Sequence, residues 1–469
     1  FKDMVCYQEE VRDASRMAEV LNRVILKAKR GSAPAQINVP RDFWTQVIDI
    51  ELPSIIEFER PSGGSTAISE AADLLSNAKF PVILSGAGVV LADAIEDCKK
   101  IAEKLDAPVA CGYQHNDSFP GKHPLAVGPL GYNGSKAAME IISKADVVLA
   151  LGTRLNPFST LPGYGIDYWP KEAKIIQVDI NSDRIGLAKR ITVGICGDAK
   201  LVAKQILGEL SPSAGDTGRE DRKALIHQTK SAWLQTLTSL DHEEDDEGTT
   251  WNKDSRERDP DRMSPRMAWR AIQAGLPEDA IISSDIGNNC AIGNAYPTFE
   301  QGRKYLAPGL FGPCGYGFPS VLGAKIGCPD TPVVGFSGDG AFGISMSEMT
   351  SCSRKEWPDI TMVIFRNYQW GAEKRNTTLW YDNNFIGTEL DPKLSYAKIA
   401  EACGFKGIKV TTQSELTEAL KTSCVEQMNG ITTFIEVILN QELGEPFRRD
   451  AMKAPVEVAG INSKDTVVQ

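Results

Sequence analysis

One stretch, Pro332 to Gly371, restricts the fold more than any other part of the chain. It opens Pro-Val-Val-Gly-Phe-Ser-Gly-Asp-Gly-Ala-Phe and closes Asp-Ile-Thr-Met-Val-Ile-Phe-Arg-Asn-Tyr-Gln-Trp-Gly. Val333 to Phe336 and Ile360 to Phe365 are short apolar runs, the pattern of strands buried on both faces. Between them Phe342, Met346, Met349 and Cys352 recur at helical spacing. Strand, helix, strand is a right-handed crossover between parallel neighbours. Asp339 and Asn367 therefore both fall just past the carboxyl end of a strand, the edge where open α/β sheets bind ligands.

One carboxylate, one amide oxygen and a backbone carbonyl form a hard oxygen set suited to Mg²⁺. The start of the intervening helix offers unpaired N–H groups, and Gly338 and Gly340 let the backbone approach closely. Metal plus helix start describes a diphosphate site. Gly-Asp-Gly alone is a common turn. The weight comes from the Asn after the next strand and from Gly371 four residues beyond it.

The rest of the chain alternates helices and strands, so the expected class is α/β, with parallel sheets flanked by helices. Residues 1–50 read as the end of one such domain, with a helix from Glu10 to Lys29 and a strand from Ala35 to Val39. The chain opens at Phe1 on what reads as the inside of a domain, so a preceding segment is expected. Residues 51–64 read as a linker. Residues 65–210 form a Rossmann-like central domain. Its Gly86-Ala87-Gly88 lacks the third glycine of a dinucleotide fingerprint, and Asp179 comes too late, so a tight turn without nucleotide is expected. Residues 211–262 read as a helix, Asp221 to Leu240, followed by a solvated acidic linker that includes Glu243 to Glu247. The third domain spans 263–443, begins with a helix capped by Ser264-Pro265, and has an irregular segment from Asn376 to Leu390. A polar tail, 444–469, follows.

With 469 residues there is room for about three domains. The net charge of −11 comes without a basic stripe, which argues against nucleic acid. No run is apolar enough to span a bilayer, and no signal peptide is seen. The ten cysteines include no Cys-x-x-Cys pair and read as reduced thiols of a cytoplasmic protein.

The third domain resembles that of the thiamine-diphosphate-dependent family that includes acetohydroxyacid synthases and pyruvate oxidases. Arg-Asn-Tyr-Gln-Trp-Gly-Ala-Glu-Lys-Arg-Asn at 366–376 and Glu-Pro-Phe-Arg-Arg-Asp-Ala at 445–451 are similar to its sulfoacetaldehyde acetyltransferase branch. The resemblance covers essentially the whole chain. It implies a three-domain enzyme that converts sulfoacetaldehyde and phosphate to acetyl phosphate and sulfite in taurine-type sulfonate degradation. It implies thiamine diphosphate and Mg²⁺ as cofactors. Asp339 and Asn367 would hold the metal by side chains and Gln369 by its carbonyl. Gly338, Gly340, Ala341, Gly371, Ala372, Gly287, Asn288 and Asn289 would surround the diphosphate. The carbonyl of Gly312 would accept from the cofactor's amino group. Cys314 would stand where relatives place a bulky apolar residue that bends the cofactor. Arg366, Lys374, Arg375 and Arg303 are the candidate cations for the anionic substrates. The catalytic glutamate of the family is expected before Phe1, and the active site between subunits of a homodimer or homotetramer. Two alternatives remain at this point: an acetohydroxyacid synthase-like enzyme acting on 2-oxo acids, and a non-catalytic cofactor-binding subunit.

Overall fold

The structure, a computed structural model, describes residues 1–54, 58–241, 250–309, 311–354 and 356–443. Residues Phe1–Pro61 and Ser62–Gln469 are two separate compact units.

In the first unit, β1 (Tyr7–Glu10) pairs in parallel with β2 (Ala35–Asn38). The helix Met17–Gly31 covers them with Val20 and Val24. The helix expected from Glu10 thus begins seven residues later. Gln8, Glu9 and Glu10 are polar and belong to a strand. Asp13 then starts a short turn by accepting from the Ser15 amide at 2.9 Å.

The second unit carries two six-stranded parallel sheets. The first contains β3 (Pro81–Ser85), β4 (Val109–Cys111), β5 (Ala126–Pro129), β6 (Val147–Leu151), β7 (Lys174–Asp179) and β8 (Val193–Cys196). Their order is β5-β4-β3-β6-β7-β8, so the chain reverses direction between β3 and β6. β3 and β6 are buried at every residue, as a sheet covered on both faces requires. At the reversal the two loops pack backbone to backbone: a Cβ on Gly86 would lie 2.6 Å from the Gly152 oxygen. A short helix, Ala87–Leu91, precedes the helix Ile95–Leu105. Between them Asp93 takes a left-handed φ of 56°. β5 and β8 lie at the two edges of the sheet, where Pro129, Gly128 and Gly194 hide the strand pattern in the sequence.

The stretch expected to be a linker is mostly structure. The helix Arg219–Asp241 sends Ile226 into the core of the first sheet, and Trp233 and Leu237 into that of the second. A further helix, Thr250–Arg258, follows. Residues 242–249, which hold most of the acidic run, lie outside the described residues, as do Leu310 and the tail 444–469. Near the start of the long helix, Arg222 is buried, with 1% of its surface exposed. Its guanidinium donates to the carbonyls of Asp106, Lys79, Leu105 and Gly215 at 3.3, 2.8, 2.9 and 2.7 Å, and to that of Thr217.

The second sheet contains β9 (Ile281–Ser284), β10 (Tyr305–Leu306), β11 (Val333–Gly338), β12 (Thr361–Arg366), β13 (Lys406–Val410) and β14 (Thr433–Ile438). Its order, β10-β9-β11-β12-β14-β13, reverses between β9 and β11. β11 and β12 pair in parallel from Val334 and Thr361 to Gly338 and Phe365, as expected. Ser264 caps the helix Pro265–Gly275 by accepting from the Met267 amide at 3.1 Å. That helix buries Trp269 against Phe336 and Phe365, with ring centroids 4.9 and 5.4 Å away. The face of Phe342, Met346, Met349 and Cys352 packs on the other side of the sheet, but a 3-10 turn, Met346–Glu348, interrupts the helix. Among the described residues no helix is long and apolar enough to cross a membrane.

Two outcomes follow from this packing. Arg222→Met leaves five carbonyls without their donor and is expected to lower stability by about 3 kcal/mol. Chemical denaturation of the parent and the variant measures this. Half-buried His115 follows β4, and burial together with the charge of Arg154 pushes its imidazole down to about 4. The unfolded imidazole takes up a proton below about pH 6.5. Between these values the unfolded chain binds more protons than the folded one, so stability falls as pH drops. Melting temperatures measured from pH 7 to pH 5 are expected to fall less steeply in His115→Gln than in the parent.

Candidate cofactor site

The carboxyl ends of β9, β11, β12 and β14 meet at the reversal point of the second sheet, and the expected site residues gather there. Asp339 is the first residue of the helix Asp339–Ser345 and is 1% exposed. Its Oδ1 accepts from the Gly340 amide at 3.0 Å. Its Oδ2 accepts from Arg366 Nη1 at 3.0 Å and from the Tyr368 amide at 2.7 Å. Burial pushes this carboxyl up to about 6, against the pull of Arg366 and of the amides. Asn367 follows β12 and directs its amide to Asn289 Oδ1 at 3.5 Å.

Gln369 pairs with Glu389 in a short antiparallel bridge. The bridge is closed by Trp370 N–H to Thr388 O at 2.8 Å and Leu390 N–H to Tyr368 O at 2.9 Å. Gln369's own peptide groups therefore point away from that ladder. Its side-chain amide donates to the Gln441 carbonyl at 3.1 Å, and its buried Oε1 has no hydrogen-bond partner among the described residues. Trp370 lies flat over Gly340: a Cβ there would sit 2.9 Å from the indole. That is why the second glycine of Gly-Asp-Gly must be a glycine.

Asp285 holds the opposite wall. It follows β9 and is fully buried. Oδ1 accepts from the amides of Ile286 and Gly315 at 2.8 and 3.0 Å; Oδ2 accepts from the Gly317 amide at 2.9 Å and Ser337 Oγ at 3.0 Å. One carboxylate thus ties the loop that bears Gly312 and Cys314 to the ends of two strands. Cys314 is half-buried, and burial raises its thiol pKa. Gly287, with φ of 129°, starts the short helix Asn288–Ile292, and Trp269 Nε1 supports that helix by donating to the Asn289 carbonyl at 2.7 Å. A Cβ on Gly287 or on Gly338 would meet nothing within 4 Å, so the strand ends face open space. A Cβ on Gly371 would lie 3.1 Å from the Asn288 Cβ, which brings the start of the helix Gly371–Trp380, with Ala372, to the same place.

The expected substrate-binding cations are placed differently. Arg366 is fully buried beneath Asp339 and does not face the cleft. Lys374 is buried in an ion pair with Glu389, 5.2 Å from the Phe385 ring centroid. Arg375 donates to Asn288 Oδ1 and the Leu443 carbonyl, with its guanidinium 4.7 Å from the Tyr132 ring centroid. Arg303 is exposed and donates to the Leu91 carbonyl at 3.2 Å. A cation with inward partners already satisfies its charge locally, so these positions do not form one substrate pocket in this conformation.

The sequence reading also passed over three features. The second half of the helix Gly371–Trp380 lies inside the segment expected to be irregular, because its threonines and single terminal aromatic carry no clear helical stripe. Asp285, just past a strand, was given no role. Residues 440–443 back the site: Gln441 Nε2 donates to the Asn367 carbonyl at 3.2 Å, and Asn288 Nδ2 donates to the Glu442 carbonyl at 3.5 Å. The signal that singled out Asp339 and Asn367, a polar residue just past a buried strand, applies equally to Asp285 and to Asn440-Gln441.

The donor set suits a small hard cation. Among the described residues no three His, Cys, Asp or Glu cluster as a metal site. A cation here would rest on one carboxylate with amide and carbonyl oxygens, the set that Mg²⁺ takes beside a phosphate. Asp339 accepts three hydrogen bonds and keeps acceptor capacity.

Two family models match the chain. That of the central domain of thiamine pyrophosphate enzymes matches residues 68–206, and that of their C-terminal thiamine-pyrophosphate-binding domain matches residues 285–437. Over all 469 residues the chain is 76% identical to a probable sulfoacetaldehyde acetyltransferase of Rhizobium meliloti, covering 79% of that protein. The chain belongs to the sulfoacetaldehyde acetyltransferase family. Over 465 residues, 99% of the chain and 77% of the relative, it is 74% identical to a sulfoacetaldehyde acetyltransferase of Roseovarius nubinhibens. A probable acetolactate synthase large subunit of Methanococcus aeolicus is 28% identical over 429 residues, 90% of the chain and 70% of that protein. Membership of this family places the thiamine-diphosphate-binding domain on the second sheet, whose strand ends carry the cluster described above.

Asp285→Asn turns an NH₂ toward at least one amide donor, that of Gly317 in the better of its two orientations. It is expected to cost about 2 kcal/mol of stability and to weaken thiamine diphosphate binding. Paired denaturation and calorimetric titration measure the two effects.

Proposed function

We propose that the protein transfers an acetyl group made from sulfoacetaldehyde to phosphate, releasing sulfite and acetyl phosphate. The observation that carries this reading is the 76% identity across the whole chain to a probable sulfoacetaldehyde acetyltransferase, with Asp339, Asn367 and Gln369 meeting at one sheet edge. The greater distance of the acetolactate synthase relative weighs against a 2-oxo acid substrate.

In this reading Asp339, Asn367 and the Gln369 carbonyl hold Mg²⁺. Gly338, Gly340, Ala341, Gly371, Ala372, Gly287, Asn288 and Asn289 surround the diphosphate, and Gly312 and Cys314 lie along the cofactor's reactive end. When bound, thiamine diphosphate would supply a carbon nucleophile for the aldehyde and the carbanion stabilisation that departure of sulfite requires. The chain's own part is positional. Asp285 accepts from the Gly315 and Gly317 amides beside the Gly312–Cys314 loop and from Ile286 N–H and Ser337 Oγ at the strand ends, and Trp370 packs on Gly340 so that the metal-bearing turn keeps its shape. Lys374 and Arg375, whose helix starts at this edge, stay the candidates for drawing anionic substrates inward. They would act by exchanging their present partners, whereas Arg366 lies beneath the metal ligand. A homodimer or homotetramer with the active site between subunits, a cytoplasmic location and a place in taurine-type sulfonate breakdown complete the reading.

The test is to incubate the protein with sulfoacetaldehyde, phosphate, Mg²⁺ and thiamine diphosphate and to titrate sulfite. Phosphate-dependent sulfite release with matching acetyl phosphate is the expected result. Turnover of pyruvate with no sulfite would overturn the substrate assignment. Asp339→Asn is expected to lower the rate roughly 100-fold by weakening the metal.

A further inference from the structure

Arg366 ends β12 and is fully buried, yet the acetyl-transfer reading gives it no task. Its partners are unusual for a cation at a cofactor site. Nη1 donates to Asp339 Oδ2 at 3.0 Å; Nη2 donates to the carbonyls of Asp391 and, at 3.2 Å, Leu394; Nε lies 3.8 Å from Glu436 Oε1. Its guanidinium stands 4.2 and 5.4 Å from the ring centroids of Tyr368 and Tyr396. Glu436 is itself fixed by Ser395 Oγ at 2.7 Å and the Ala397 amide at 3.1 Å. Tyr396 donates its hydroxyl to the Asp339 carbonyl at 2.8 Å. A planar fork held on several sides does not swing, so Asp339 Oδ2 is permanently engaged by Arg366 and by the Tyr368 amide. Oδ1 meets the Gly340 amide alone.

We propose that Arg366 is a positioning residue: it withholds one oxygen of Asp339, leaves the other to the divalent cation, and so sets which cation the site prefers. The proposal rests on the cofactor reading above. A carboxylate that offers one oxygen suits Mg²⁺, which demands compact octahedral geometry. Ca²⁺ takes more ligands at longer distances and often both oxygens of a carboxylate, so it is disfavoured. A purely electrostatic role makes the opposite prediction, because a neighbouring positive charge repels the metal and its removal would tighten binding.

Calorimetric titration of thiamine diphosphate at graded Mg²⁺ or Ca²⁺ tests this in the parent, in Arg366→Lys and in Arg366→Met/Glu436→Gln. The lysine keeps the charge without the fork. The double variant removes the guanidinium together with the second carboxylate that faces it, Glu436, and leaves Asp339 with the Gly340 and Tyr368 amides as its donors. Melting temperatures without ligand record any general loss of stability. The expected result is that the Mg²⁺ needed for half-saturation rises roughly tenfold in both variants while that for Ca²⁺ rises much less, shrinking the preference. An unchanged preference in both variants, at any melting temperature, would overturn the proposal, as would tighter Mg²⁺ binding in the double variant. Failure of the parent to bind thiamine diphosphate with either metal would instead remove the cofactor reading, and this inference with it.

Discussion

A buried carboxylate held by a buried guanidinium is the interaction on which the site depends. Asp339 and Arg366 are both almost wholly out of water, and each would be costly there without the other. Their pairing locks the end of β11 to the end of β12. The Tyr368 amide, the Tyr396 hydroxyl and Glu436 extend the lock to the last strand and to the turn around 391–397. The geometry of this edge of the sheet is therefore set by the core beneath it, not by its own loops.

The same logic recurs on either side. Asp285 spends its oxygens on three amides and a hydroxyl, and so converts a glycine-rich loop into a fixed wall. Trp269 fills the space between Phe336 and Phe365 while its indole N–H supports Asn289. The carboxyl edge of a parallel sheet ends in backbone groups that need partners, and here single side chains supply several partners at once. In the first sheet the corresponding reversal point is closed by Gly86 packing on Gly152. In the second, Gly287 and Gly338 leave it open. The two sheets share an architecture, and the packing of their loops makes them different.

Much of this was readable from the chain. Strands β3, β6, β7, β11, β12 and β14 are mainly apolar runs, as strands buried on both faces usually are, and so stand out in the sequence. The polar residue just beyond such a run marks the ligand edge, which identified Asp339 and Asn367. Elements without an apolar signature were passed over: β1, whose side chains alternate without being apolar, the edge strands β5 and β8, and the helix Gly371–Trp380. The long helix Arg219–Asp241 was recognised but read as leading into a linker. Its buried residues are shared between two cores, so neither stripe is complete.

The sequence by itself determined the fold class and the order of most elements, and it singled out residues that gather at the carboxyl edge of the second sheet, because hydrophobic period and strand ends are local properties. Only the tertiary structure decided what the cations do. Arg366, Lys374 and Arg375 look alike in the chain, as three positive charges within ten residues. In the fold one lies beneath Asp339, one pairs with Glu389 and one joins Asn288 to the Tyr132 ring. The partner of a charge is set by which strands and loops become neighbours, and that information is spread over residues far apart in the sequence.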